Sequence, residues 1–367
     1  MTNQVTARLR GPADLAESIP YNLGFQPENS IVLAGIDGDG CMAGLIRMAL
    51  PESGDVEQAA DEAMAALISV YVGHGVDLHR IAIALYRDPA ADTDRSIIVD
   101  ALAPLAESLT KAAEEDAIGV MEALLVSDGA WSSFFCTKPD CCQTKGTPVR
   151  GMDNPGPVGT ALIVAGRTVA SGRSALEAKI RPAGGTDTTS FHAALSTAEA
   201  NPLPEMARYD LLHRCLACAA SGDRPSEEEA AQLIVALTDR EFRDLALSYS
   251  EPAERSAAVR LWQDLAARIG KPRRHLAAAP LVLLTWNSWL YESPAMAMVA
   301  LREAQAVDPM YEMANRLEEL FMINADPAGV QDVLREVRTE WEFDRGVVGR
   351  DQADWQAPKM GEGSDPQ

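Results

Sequence analysis

The chain has 367 residues, 47% hydrophobic and 5% aromatic, which is enough apolar material for two ordinary domains and excludes disorder throughout. Its 54 acidic residues outnumber 32 basic ones for a formal net charge of −22, a field that repels phosphate backbones and disfavours nonspecific nucleic-acid binding. No run reaches the roughly eighteen apolar residues of a membrane span, the first residues have no leader pattern, and six cysteines are too sparse for a disulfide scaffold, so a cytoplasmic protein with reduced thiols is expected.

Residues 30–36 and 41–50 are apolar runs of strand length around Asp37-Gly38-Asp39-Gly40, the pattern of a β-hairpin. Helical spacing of apolar residues predicts a helix over 56–72, and 78–86 reads as a buried strand before a second helix over 94–114. A strand over 120–126 turns at Ser127-Asp128-Gly129 into another over 130–136. Hairpins make antiparallel pairs and helical crossovers make parallel ones, so the order implies a mixed sheet with helices packed on it.

Composition changes near residue 184, where 183–189 reads as a linker into a region of helices only. Ser226 followed by Glu229 has the capping-box arrangement of a helix start. Helices are predicted through 237, over 242–247, 252–269 and 279–291, then from Pro294 to 307, with one more after Asp308-Pro309. Ala297, Leu301, Ala304 and Pro309 reproduce the spacing of a tetratricopeptide second helix, where small residues let helices approach closely. Leu281, Leu284, Thr285 and Ser288 stand where the first helix of that pattern would differ, so a single tetratricopeptide-like hairpin is expected. The expected organisation is an α/β mixed-sheet N-terminal domain over 1–183, an all-α domain with that hairpin over 184–345, and a disordered acidic tail over 346–367.

The segment Pro20-Tyr21-Asn22-Leu23-Gly24-Phe25-Gln26-Pro27-Glu28-Asn29-Ser30 ahead of a strand, together with Trp131, Cys136, Asp140-Cys141-Cys142 and Gly146, resembles an uncharacterised actinobacterial family. That family is domain of unknown function four-one-nine-two, and the likeness spans roughly residues 8–325. Its pattern has a proline after the paired cysteines, where this chain has Gln143. The resemblance implies a fold and an actinobacterial origin, and it brings no activity and no catalytic residue with it.

Cys136, Cys141 and Cys142 offer three thiolates for zinc, which would take its fourth ligand from elsewhere. The same thiols could instead form a redox-sensitive disulfide or stay reduced and structural, with Lys138 and Lys145 favouring the thiolate form. Cys215 and Cys218, just after His213, read as one buried helix face. Trp131 and Phe135 read as core aromatics, with an outward or domain-boundary position as the alternative, and Tyr21, Phe25 and Pro27 as a rigid turn for which Gly24 supplies the backbone angle. The loop over 153–160 leads into a helix and reads as a cap, with free amides for an anion as the alternative. The five histidines follow no metalloprotease spacing, and no Gly-x-Ser-x-Gly elbow is present.

These features favour a cytoplasmic, non-enzymatic protein-binding or scaffold protein that uses its helix-pair surface, with a protein partner and neither nucleic acid nor membrane. The alternative is a thiol-based redox sensor or a zinc-binding protein built on Cys136, Cys141 and Cys142. Acidic mimicry of nucleic acid is a third reading, which would need rows of carboxylates on one face.

Overall fold

Ahead of the first strand lies a helix that periodicity does not reveal, α1 (Pro12–Leu23). Pro12 at its first turn presets a helical φ, and Gly24 closes it at φ 78°, donating its N–H to the Pro20 carbonyl at 2.8 Å. Glu17 and Ser18 are buried on this helix, which breaks the apolar spacing, and Pro20 lies inside it. Tyr21 therefore belongs to the last helical turn, not to the rigid turn expected for it, whereas Gly24 does supply the left-handed angle.

The computed structural model describes residues 9–347 except 37–41, 52–54, 75–77, 89–93, 139–144, 166, 184–188, 291–292, 323–324 and 326. The expected tail over 346–367 lies almost wholly outside the described residues, as does most of the expected linker over 183–189. The chain divides into two compact units, Met1–Leu176 and Glu177–Gln367.

The first unit is a mixed sheet. Its strands are β1 (Ser30–Ile36), β2 (Met42–Ala49), β3 (Arg80–Tyr86), β4 (Gly119–Ser127), β5 (Ala130–Ser133) and β6 (Thr147–Pro148), in the order β2-β1-β3-β4-β5-β6. β3 and β4 run parallel, joined by helix α3 (Arg95–Glu115), and the other neighbours pair antiparallel. α3 starts at Asp94, whose side chain accepts the Ser96 N–H. β1 is buried along its whole length because both sheet faces are covered. One face, with Leu33, Ile83 and Ala123, meets α2 (Val56–His74) and α3; the other, with Val32, Ala84 and Leu124, meets Leu15 and Ile19 of α1. Gly35 and Gly44 pair across the β1–β2 ladder beneath the Tyr71 ring, and a Cβ on Gly35 would strike its hydroxyl.

β5 ends at Ser133, three residues short of the predicted end at 136. The Ser133 hydroxyl donates to Glu122 at 2.6 Å and accepts the Phe135 N–H at 3.1 Å, a local bond that draws the backbone away from the ladder. Two short helices follow, α4 (Pro157–Val164) and α5 (Arg173–Ala178).

Among its described residues the second unit is helical: α6 (Thr189–Ala200), α7 (Glu205–Ala220), α8 (Glu227–Ala236), α9 (Arg240–Ser248), α10 (Arg255–Arg268), a 3-10 turn over Arg274–Ala277, α11 (Ala278–Leu290), α12 (Pro294–Val307), α13 (Glu312–Met322) and α14 (Pro327–Asp344). The capping box at Ser226 and Glu229 forms as predicted. α11 is the central element, buried from Ala278 to Ser288 and packed against α9, α10, α12 and α13. Trp262 and Trp286 are fully buried in this core. On α12, Glu303 is buried between Arg181 and Arg274, each at 2.9 Å. Burial alone would raise its carboxyl, but the bonds from Arg181 and Arg274 outweigh that and hold it below the usual range. Among the described residues no helix is long and apolar enough to cross a membrane.

Candidate functional site

Two helices of the first unit begin with the same dipeptide. Gly11-Pro12 opens α1 and Gly156-Pro157 opens α4, the proline standing where its missing N–H costs no helical bond, and neither glycine supplies a capping side chain. α4 is instead capped from α1: the Gly156 N–H donates to Glu17 Oε1 at 2.5 Å. Glu17 is only 1% exposed, so its charge rests on the positive end of α4. The spacing Gly156-Pro157-Val158-Gly159 makes room for it, because a Cβ on either glycine would collide with the Glu17 carboxylate. Glu17 Oε2 and the Tyr21 hydroxyl one turn later are both buried without a hydrogen-bond partner. Burial, reinforced by the Glu17 charge, raises the Tyr21 phenol above its ordinary value.

Beside this clamp opens a cleft of about 450 Å³, lined by the first turns of α1 and α4, by Trp131 and by Arg150. Arg10 and Arg150 are exposed at it, and among the described residues Asp14, which accepts the Arg10 backbone N–H at 3.0 Å, is its one lining carboxylate. Pro12, Ala13, Pro157, Val158 and Ala161 give it an apolar wall. Arg10 and Arg150 thus present two guanidinium groups to the cleft, with the Glu17 carboxylate buried behind Gly156 near Arg150.

Trp131 is the aromatic wall, and its indole Nε1 is buried without a hydrogen-bond partner. It pairs with Val126 of β4 and Thr147 of β6, just past the carboxyl end of the parallel strands, where open sheets commonly place ligands. Arg95 locks this hairpin from α3, donating to Ser132 Oγ at 2.8 Å and to the Ser127 and Ala130 carbonyls at 3.0 and 3.1 Å. Gly146, at φ 69°, passes so close to Arg95 and Ala130 that a side chain would not fit. Phe135 is exposed in the turn after β5, the outward alternative to a core role, and Phe134 packs on the opposite sheet face from Trp131.

The predicted thiol site is only partly described. Cys141 and Cys142 lie outside the described residues; Cys136 is half-buried in the turn after β5. Among the described residues no group of three or more His, Cys, Asp or Glu side chains converges as a metal site would require. Cys215 is buried on α7, its thiol pushed up to about 12 by burial, whereas Cys218 is only half-buried, so the buried face read from the sequence holds for Cys215 alone.

A second polar cluster lies in the helical unit around a cavity of about 70 Å³ lined by His213, Tyr249, Glu254 and Arg338. Tyr249 Oη and His213 Nε2 are 2.7 Å apart, and Tyr209 donates to Glu342 at 3.1 Å. Arg338 of α14 lies over the Tyr249 ring at 3.9 Å and donates to Glu254 at 2.9 Å. Burial, with the Arg338 charge adding to it, pushes the His213 imidazole below its ordinary value, so it is neutral at pH 7.

Sequence reasoning singled out Trp131 as a core or boundary aromatic and the loop over 153–160 chiefly as a cap, and it did not single out Arg10, Glu17 or Arg150. The repeated Gly-Pro was the available signal for two helix starts that meet. The fold and cleft define a two-unit protein in which an α/β unit with an arginine-bearing, aromatic-walled cleft is followed by a helical unit. The chain belongs to the family described as Domain of unknown function (DUF4192), whose model matches residues 12–328. No curated protein and no solved structure matches it.

Proposed function

We propose that the N-terminal unit binds a small organic anion, a carboxylate or phosphate ester whose apolar or planar part lies along Trp131, and that the protein is a non-enzymatic binding protein. The observation that carries this reading is a cleft where the Trp131 ring stands beside the exposed guanidinium groups of Arg10 and Arg150, which can pair with an anionic group while the ring packs on its planar part. The volume suits a metabolite-sized ligand. Binding is favoured over catalysis because among the described residues no Ser, Thr, Cys, His or Lys side chain lines the cleft, and Asp14 is bonded to the Arg10 backbone N–H. The test is a thermal-shift and calorimetric screen of small carboxylates and phosphate esters against the wild type, Arg150→Ala and Trp131→Ala. A hit should weaken about 10- to 100-fold in Arg150→Ala, the value of one hydrogen bond to a charged group, and should weaken in Trp131→Ala as well. A screen without hits, or hits indifferent to Trp131 and Arg150, would refute the assignment.

A second reading concerns the helical unit, as a cytoplasmic scaffold surface for a protein partner. It rests on the tetratricopeptide-like spacing of Ala297, Leu301 and Ala304, all buried on α12, which packs closely on α11. A partner recovered with the wild type but lost on Ala297→Leu or Ala304→Leu, with the fold kept, supports it; recovery unaffected by both substitutions counts against it.

A further inference from the structure

The sheet order leaves β2 and β6 as edges, and they differ sharply. β6 is two residues long, whereas β2 runs eight residues and among the described residues pairs with β1 alone. Alternate residues of an antiparallel strand turn their N–H and C=O groups to opposite sides, so half of the β2 backbone groups face away from β1 as an open ladder. Natural edges are guarded by proline, outward charges or short length. β2 reads Met42-Ala43-Gly44-Leu45-Ile46-Arg47-Met48-Ala49, with no proline and no carboxylate. Its one charge turns inward, Arg47 donating to Ser30 Oγ at 2.7 Å and to the Glu28 carbonyl at 3.1 Å. α2, packed over β1 and β2, adds exposed Ala65, Ala66 and Ser69 and a Val72 that is 73% exposed.

We propose that β2 pairs antiparallel with β2 of a second copy of this chain, joining the two sheets into one across a twofold axis. Closed symmetry selects this partner, because a twofold normal to the sheet pairs a strand with itself and keeps each face on its own side. Centring the pair on Ile46 sets Leu45 opposite Arg47 and Gly44 opposite Met48, so the bulky Met48 meets a residue without a side chain and the two Arg47 charges never stand opposite one another. A basic peptide would find no carboxylate on this edge. In a chain of net charge −22, β2 itself carries no acid, while α2 over it exposes Glu57, Asp61 and Glu62.

Sedimentation of the full chain over a wide concentration range is the test, with an expected mass of twice 39.4 kDa. Ile46→Glu and Ile46→Lys should each be monomeric, since like charges would face one another, and an equimolar mixture should restore a heterodimer. That rescue separates lost pairing from lost folding. Should either variant fail to fold, hydrogen exchange on the wild type replaces it: β2 amides should exchange more slowly as concentration rises. A wild type monomeric throughout, a dimer that both folded variants keep, or β2 exchange independent of concentration would overturn the proposal.

Discussion

Replacing Glu17 with alanine removes the cap that α1 places on α4. The lost capping bond is worth about 1–2 kcal/mol, and the Gly156 N–H, left buried beneath α1, costs about 1–3 kcal/mol. These terms overlap, and together they predict a loss of about 2–3 kcal/mol. For a unit of this size each kcal/mol lowers the melting temperature by about 2–4 °C, so calorimetry should show the first unit melting about 5–10 °C lower. The same geometry predicts a reversal of sign. Gly159→Ala should destabilise the wild type, because its Cβ meets Glu17 Oε1, but in the Glu17→Ala background it should stabilise by up to about 1 kcal/mol through the better helix propensity of alanine. A melting temperature unchanged by Glu17→Ala, or additive effects of the two substitutions, would refute the trans-capping account.

The helical unit should lose stability as pH falls from about 7.5 to 6. The folded His213 pKa lies below the ordinary 6.5, so the unfolded imidazole takes up its proton first, and stability present above 6.5 is lost as pH drops towards the folded value. His213→Asn should flatten that slope in thermal melts; an identical slope would exclude His213 as its source. Glu303→Ala should cost about 3 kcal/mol by leaving Arg274 partly buried without its carboxylate partner. Because the Glu303 carboxyl is held low, its contribution should be present at neutral pH and fade as pH falls through that lowered value, which acid titration of wild type and variant would resolve. Cys215 should resist a thiol reagent in the native protein and react only on unfolding; labelling at native rates comparable to Cys136 would contradict its burial and raised pKa.

Local pattern determined much of the architecture. Strand-length apolar runs in 30–36 and 78–86, the helical spacing of 56–72 and 94–114, and the capping box at Ser226 are short-range signals, and each corresponds to an element of the structure. α1 escaped because its cap is a glycine, its last turn holds Pro20 and its buried side carries Glu17 and Ser18, whose burial is meaningful only once α4 arrives across the sheet. The cleft is a matter for tertiary structure throughout. Trp131 could be singled out as an aromatic in a strand, but that its indole shares a cleft with Arg10 and Arg150 follows from sheet order and from two helix starts meeting. The open edge of β2 has the same origin, since its apolar run marks a strand wherever it lies and only the pairing order leaves one side of it without a neighbour. Periodicity encodes which face of an element is apolar; which elements then become neighbours depends on how those faces are buried together, and that information is spread over the whole chain.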